Sequence, residues 1–286
     1  MKILVTGKKG QLGSEINKIS SNYNHDWIFT SRKTFDLFNL KNIEIILDKI
    51  NPNLIINCAA YTSVNSAEDD YELANIINHK SIKLISKWCN NNNCKLIHIS
   101  TDYVYSGGSN TLINENAPTY PLNNYGKTKL QGDTACSIMN PDSIIIRTSW
   151  LYSSFGNNFV KNIINLMKNK SQLDIVDDQI GSPTYAADLA MVILHIINFN
   201  KWIPGIYNYS NEGEISWFNL ASDIKELCGF RNITLNSVSS KAYNSKAKRP
   251  KYSALDNSKI KNTFNITIIP YKDSLNECIK ILKNEK

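Results

Sequence analysis

The turn Gly7-Lys8-Lys9-Gly10-Gln11-Leu12-Gly13 does most to limit the folds open to this chain. It follows Lys2-Ile3-Leu4-Val5-Thr6, a short β-branched run that reads as a buried strand, and it leads into Ser14-Glu15-Ile16, which reads as a helix start. A glycine turn between a strand and a helix lets backbone N–H groups approach a pyrophosphate. The helix N-terminus adds partial positive charge there. The spacing is G-x-x-G-x-x-G, which a plain tight turn could also use. Its position, after the first strand and opening the first helix, favours a dinucleotide cradle.

The pattern that follows supports a doubly wound sheet. Residues 27–30, 54–57, 95–100 and 143–148 read as further strands. Residues 39–50 and 67–90 read as helices, and another begins near Tyr125. Strand and helix alternating in this way predict a Rossmann-like α/β fold, a parallel sheet with helices on both faces. Residues 1–150 are expected to form the NAD(P)-binding domain. Beyond 150 the pattern loosens. Helices are expected over 155–168, 186–199, 216–227 (with Ser216 as N-cap) and 273–283, strands over 173–176 and 205–209, and a polar loop over 177–184. Residues 151–286 are therefore expected to form mainly a smaller C-terminal substrate-binding lobe, with some segments returning to the sheet.

Composition removes several classes of function. No apolar run approaches the ~20 residues of a membrane span. The N-terminus lacks the apolar stretch and cleavage site of a signal peptide, so a cytoplasmic location is expected. The six cysteines include no C-x-x-C pair, and reduced thiols are expected. Cys89, Cys94 and His98 have the wrong spacing for zinc and read as a helix end followed by a strand. The net charge of +7 could favour an anionic partner, but no basic stripe interleaved with aromatics points to nucleic acid. The densest basic group is Lys241, Lys246, Lys248, Arg249 and Lys251, which suits a solvated loop or a phosphorylated ligand.

The candidate chemistry lies at strand ends and on one helix. Tyr125 and Lys129 are one helical turn apart on the same face. A nearby ammonium lowers a phenol's pKa, and such a phenol can pass a proton near neutral pH. A half-buried tyrosine beside a solvated lysine would give the same spacing. The second strand ends in Thr30-Ser31-Arg32-Lys33 with no acid for a ribose 2′-OH, so Arg32 and Lys33 lean the expectation toward NADPH, with NADH as the alternative. Asp36, in Phe35-Asp36-Leu37, is placed to reach the adenine. Small residues in Cys58-Ala59-Ala60-Tyr61 would let a dinucleotide lie over the sheet edge. Asn78, inside a helical run, reads as a satisfied buried amide or as part of a proton relay. Thr101 and Asp102 follow the fourth strand, and His98 within it reads as a core histidine.

Taken together, Gly7-x-x-Gly10-x-x-Gly13, Thr101, Tyr125 and Lys129 in this order resemble the extended short-chain dehydrogenase/reductase family. Asn57-Cys58-Ala59-Ala60-Tyr61-Thr62-Ser63-Val64, Ser100-Thr101-Asp102-Tyr103-Val104, Asp177-Asp178-Gln179-Ile180-Gly181-Ser182-Pro183-Thr184 and Arg249-Pro250-Lys251-Tyr252-Ser253-Ala254-Leu255 extend the likeness to nucleotide-sugar reductases over nearly the whole chain. The resemblance implies hydride transfer from NADPH, with Tyr125 giving the proton. Lys129 would lower the tyrosine pKa and bind the nicotinamide ribose, and Thr101 would hold the sugar oxygen. It implies a cofactor set of Gly7, Gly10, Gln11, Leu12, Gly13, Arg32, Asp36, Leu37, Ala59, Ala60, Tyr61, Tyr125 and Lys129. It implies substrate contacts from Thr101, Asp102, Trp150, Asn158 and Arg249, the last against a diphosphate. The implied reaction reduces the C4 ketone of dTDP-6-deoxy-L-lyxo-4-hexulose to dTDP-L-rhamnose. Alternatives are reduction of a related 4-keto-6-deoxy sugar, or a non-catalytic NADP-binding regulatory subunit. The related dehydratases carry Thr-Asp-Glu where this chain has Thr101-Asp102-Tyr103, which disfavours water elimination, while an epimerase, which reuses the same Tyr and Lys, stays open. Some family members hold magnesium between subunits. Glu15 matches one ligand position, but Ala187 stands near the second, so no metal is expected. A homodimer stays open, and no membrane partner is implied.

Overall fold

The computed structural model describes residues 1–108, 110–243 and 245–284. Its centre is a six-stranded parallel sheet. Strands β1 (Lys2–Thr6), β2 (Asp26–Phe29), β3 (Leu54–Asn57), β4 (Lys95–Thr101) and β5 (Ile144–Thr148) are joined by Gly205–Tyr209. The spatial order is Gly205–Tyr209, β5, β4, β3, β1, β2, and every pairing is parallel. The central strands are fully buried and β-branched, as a sheet covered on both faces requires. From β1 the chain runs outward to β2 and then returns to β3 on the other side. The carboxyl ends of β1 and β3 thus form the switch point at which open α/β sheets bind ligands.

One face of the sheet carries α1 (Gln11–Ile19) and the helix Ala186–Asn198, whose Leu189, Ile193 and Ile197 share a core with Ile3, Val5, Ile16 and Tyr207. The other face carries α2 (Leu40–Ile50) and the helix Ser81–Asn91, packed through Ile43, Leu47, Ile82 and Ile85 against Leu4, Ile55 and Leu96. A separate core belongs to the lobe. There the helices Phe159–Asn169, Trp217–Cys228 and Tyr271–Asn284 pack around Ile163, Leu220, Ile224 and Leu275. A small parallel pair, Gln172–Val176 with Thr234–Val238, lies beside them. The C-terminal half therefore contributes to both cores, since the segments 186–209 and 258–268 pack on the six-stranded sheet.

Three local differences from the sequence reading have physical causes. The stretch 67–90 is not one helix. It is a 3₁₀ turn Ser66–Glu68, a short α segment Tyr71–Asn75, a π turn Ile76–Lys80 and then α-helix from Ser81. The extra residue of a π turn re-aims side chains, and it turns Asn78 inward. The helix expected from 155 starts at Phe159, because Gly156 has φ +64° and the Asn158 side chain caps the helix by accepting from the Lys161 N–H at 3.0 Å. The loop 177–184 holds short ladders. Ile180–Gly181 pairs with Ile215–Ser216, and Thr184–Tyr185 pairs with Leu151–Tyr152.

Candidate active site

The glycine turn is shaped by close backbone approach. Gly7 has φ +75°, and a Cβ there would lie 3.0 Å from Ala59 N. A Cβ on Gly13 would lie 2.3 Å from Gly7 O. No side chain caps the start of α1, so its first-turn N–H groups face the turn without a side-chain acceptor. This is a cradle for an anionic group at the switch point, and it fits a dinucleotide diphosphate. On its outer side lies a cavity of about 630 Å³ lined by Lys8, Lys9, Lys18, Ser31, Thr34 and Phe155. Arg32 is 78% exposed and lies 3.8 Å from Asp36.

Not every expected cofactor contact reaches the cradle through its side chain. Leu37 is buried in the core with Phe35. The Gln11 amide binds Leu151 O at 3.2 Å and accepts from Asn158 at 3.0 Å, tying α1 to the following lobe. The loop carrying Ala59, Ala60 and Tyr61 is held at both ends. Ala59 N donates to Thr6 Oγ1 at 3.1 Å. Asn78 accepts from Tyr61 N at 2.9 Å and donates to Tyr61 O at 3.1 Å. Asn78 is thus a satisfied clamp, and it also reaches Thr128 Oγ1 at 3.1 Å on the helix that carries Tyr125.

That helix, Asn124–Met139, begins with Asn123 accepting from Gly126 N at 2.8 Å. Two glycines seat it. A Cβ on Gly126 would lie 2.2 Å from Tyr103 O, and one on Gly132 would lie 2.1 Å from Asn78 O. The Tyr125 ring meets Tyr103 edge-on at 5.8 Å. The Thr101 hydroxyl acts on the Tyr125 phenol to lower its pKa, donates to Asp102 Oδ1 at 3.1 Å and accepts from Tyr103 N at 3.3 Å. Thr101, Asp102, Tyr125 and Lys129 are thereby gathered at the carboxyl end of β4.

The electrostatics correct one expectation. Burial raises the Tyr125 phenol well above its ordinary range. The Asp102 and Asp133 carboxylates push the same way, and the Thr101 hydrogen bond opposes them. Lys129 does not pull it down. The ammonium is itself buried, is lowered to about 8 by that burial, and donates to Ile99 O at 2.7 Å. A phenol with a raised pKa holds its proton at neutral pH, which is the state a proton donor needs. Burial also pushes Asp102 up to about 7, while hydrogen bonds from Ser253 and Thr101 act the other way.

The expected substrate contacts divide. Trp150 stands at the rim with φ +45°, a left-handed backbone that a bulky residue adopts only under constraint. Its indole stacks on Trp217 at 3.4 Å and 7°, and a Cβ on Gly181 would come within 2.5 Å of it. Asn158 lies deeper. Its carboxamide is engaged as a helix cap and by Ser153 O at 2.7 Å and Gln11, so it is built into the frame of the site. Arg249 lies in the segment 245–251, where it donates to Asn65 Oδ1 at 3.2 Å and to Ser245 Oγ and interacts with Tyr103. Glu15 is buried and accepts from Ser153 Oγ at 2.6 Å, which places it in the fold's frame.

Sequence reading missed the buried polar set beneath the site. Asp133 accepts from Arg147 Nε at 3.0 Å, and Arg147 Nη1 donates to Tyr105 Oη at 2.9 Å. Two signals were present. Arg147 interrupts the apolar run Ile144-Ile145-Ile146, and Asp133 stands one turn beyond Lys129 on the same helix. A charge inside a buried strand calls for a partner. Trp217, Asn65 and Lys8 carried no such signal.

An all-parallel sheet with a glycine cradle at its switch point, and Thr101, Tyr125 and Lys129 beside it, defines an oxidoreductase of the extended short-chain dehydrogenase/reductase class. The chain belongs to the family described as the RmlD substrate binding domain, whose model it matches over residues 1–284. It is 35% identical over 275 residues to a dTDP-4-dehydrorhamnose reductase of Aggregatibacter actinomycetemcomitans, covering 93% of this chain and 94% of that one. Among solved structures it resembles a dTDP-4-dehydrorhamnose reductase, an RfbD ortholog, of Clostridium acetobutylicum, with TM-score 0.94 and 37% identity over 99% of this chain and 100% of the other. It also resembles the Bacillus anthracis dTDP-4-dehydrorhamnose reductase in complex with NADP, with TM-score 0.93 and 32% identity over 98% of this chain and 99% of the other. Among the described residues, no helix is long and apolar enough to cross a membrane.

Proposed function

We propose that this chain is an NADPH-dependent reductase of a dTDP-linked 4-keto-6-deoxy sugar, forming dTDP-L-rhamnose from dTDP-6-deoxy-L-lyxo-4-hexulose. One observation carries the reading. Tyr125, kept protonated by burial and under the influence of the Thr101 hydroxyl, stands one helical turn from Lys129, beside a glycine cradle at the switch point. When bound, the reduced nicotinamide supplies the hydride. Gly7, Gly10 and Gly13 would hold its diphosphate at the start of α1. The ketone oxygen lies between Thr101 and Tyr125, and Tyr125 gives it a proton as negative charge develops there. The Thr101 hydroxyl then stabilises the phenolate that remains. Lys129 presents its ammonium to the nicotinamide ribose. Lys8, Lys9 and Arg32 give the adenosine end a basic lining, which favours the 2′-phosphate of NADPH over NADH. Arg249 turns from Asn65 to the substrate diphosphate. A cytoplasmic location goes with this chemistry.

The test is loss of NADPH absorbance with the keto-sugar nucleotide as substrate, with the product identified by NMR. Tyr125→Phe is expected to lower kcat by ~10²–10⁴, the scale of a lost general acid, and to leave NADPH binding intact. Cofactor binding without turnover, the same in parent and variant, would establish the regulatory-subunit alternative instead.

A further inference from the structure

A buried line of polar groups runs across the sheet from the cofactor-side loop to Lys129, and its hydrogen bonds fix a tautomer. Thr6 Oγ1 accepts from Ala59 N at 3.1 Å and donates its hydrogen to Asn57 Oδ1 at 2.8 Å. The Asn57 amide nitrogen therefore faces the other way, toward His98 Nδ1 at 3.1 Å. Ala59 O, 3.4 Å from the same nitrogen, reinforces that orientation, because a flipped amide would set two carbonyl oxygens against each other. His98 Nδ1 is thus an acceptor. The ring is fully buried, and burial together with the Lys129 charge keeps it neutral, well below its ordinary pKa. A neutral ring that accepts at Nδ1 carries its hydrogen on Nε2.

That Nε2–H lies 3.5 Å from Lys129 Nζ and 3.8 Å from Asp133 Oδ1. A lone pair there would be an interior acceptor for the lysine, and the hydrogen removes it. Among the described residues, the Lys129 ammonium donates to a single acceptor, Ile99 O at 2.7 Å. The other charged or titratable groups around it are Asp133, Cys136 and Tyr125 on its own helix and His98 on β4. Arg147 on β5 holds Asp133 through its Oδ2. We propose that His98 is a positioning residue for the reduction. Held as the Nε2–H tautomer by Thr6 and Asn57, it denies Lys129 an acceptor in the core and leaves the remaining ammonium hydrogens for the ligand at the sheet edge. This rests on the reductase reading for its purpose, but the tautomer and the lysine titration can be measured without any sugar.

Nitrogen NMR of His98 in the full chain is expected to show an unprotonated Nδ1 and a protonated Nε2 across neutral pH. The pH dependence of NADPH binding then reads Lys129, whose loss of charge is expected near pH 8 in the parent. His98→Gln returns an acceptor to the core. It is expected to draw Lys129 inward, move the basic limb of binding up by roughly one pH unit and weaken binding at neutral pH. Thr6→Val frees the Asn57 amide to turn and is expected to move the limb in the same direction. In a His98→Leu background, which offers neither donor nor acceptor, Thr6→Val should move it no further. A purely structural His98 would lower Tm in these variants and leave the limb in place, and that result would overturn the proposal. So would a His98 ring protonated at Nδ1 in the parent, a measurement that does not depend on any variant folding. Normal titration with no sugar turnover would count against the reductase reading alone.

Discussion

The two rims that bracket Tyr125 are secured in opposite ways. On the cofactor side, the loop at Ala59–Tyr61 is pinned by Thr6 and Asn78, each about 1% exposed, and the glycine turn is fixed by backbone contact. On the substrate side, the segment 245–251 is tied down chiefly at the surface. Asn65 Oδ1 accepts from Ser245 Oγ, Ala247 N and Arg249 Nη2, Lys246 pairs with Asp69, and Asn123 donates to Lys248 O at 2.8 Å. Buried hydrogen bonds are costly to break because nothing replaces them, whereas exposed ones exchange with water at little net cost. The difference teaches that the Ala59–Tyr61 rim is built in advance, while the 245–251 rim can rearrange, as the proposed contact of Arg249 with a diphosphate would require.

The largest effect is expected at the cradle. Gly13→Ala places a methyl group into Gly7 O and should weaken NADPH binding by about tenfold or more, measured by titration, with ~1–3 kcal/mol lost in stability. Asn78→Ala leaves Tyr61 N and O without their partner and should cost about 1–3 kcal/mol by denaturant unfolding, together with weaker cofactor binding. Asp102 sharpens the contrast through pH. Its carboxyl lies at about 7 in the fold and about 4 unfolded, so the folded state holds an extra proton between those values and loses stability as pH rises through them. Asp102→Asn should therefore gain Tm over the parent at about pH 7.5 and not at about pH 4. The smallest stability effect belongs to the substrate rim. Asn65→Ala should raise KM for the sugar nucleotide several-fold while stability stays within ~0.5 kcal/mol. An Asn65→Ala loss of stability as large as that of Asn78→Ala would erase the distinction between the rims.

The same division governs how much was legible in the sequence. The strands of the first 150 residues could be read because a sheet covered on both faces demands unbroken apolar runs, such as Leu54-Ile55-Ile56 and Ile144-Ile145-Ile146. Tyr125, Lys129, Thr101 and the glycines could be read because local spacing carries them. The break in the helix around Asn78 could not, because its cause lies far along the chain, at Tyr61, Thr128 and Gly132. The structural duty of Asn158 was equally out of reach, because its cap and its bond to Gln11 depend on how the chain folds back on α1. The raised Tyr125 phenol was also out of reach, since spacing reports a neighbouring lysine but not the depth at which both are set.

The Trp150–Trp217 stack has a practical consequence. Two of the chain's five tryptophans lie in face-to-face contact where the sheet meets the lobe, one contributed from the end of β5 and the other from the start of the lobe helix Trp217–Cys228. Indoles this close form a joint chromophore whose emission depends on their overlap. A ligand that parts or tilts the rings would announce itself as a change in intrinsic fluorescence. The stack is thus an optical gauge of any movement between Trp150 and Trp217, one that can be followed in stopped flow without a label and timed against oxidation of the cofactor.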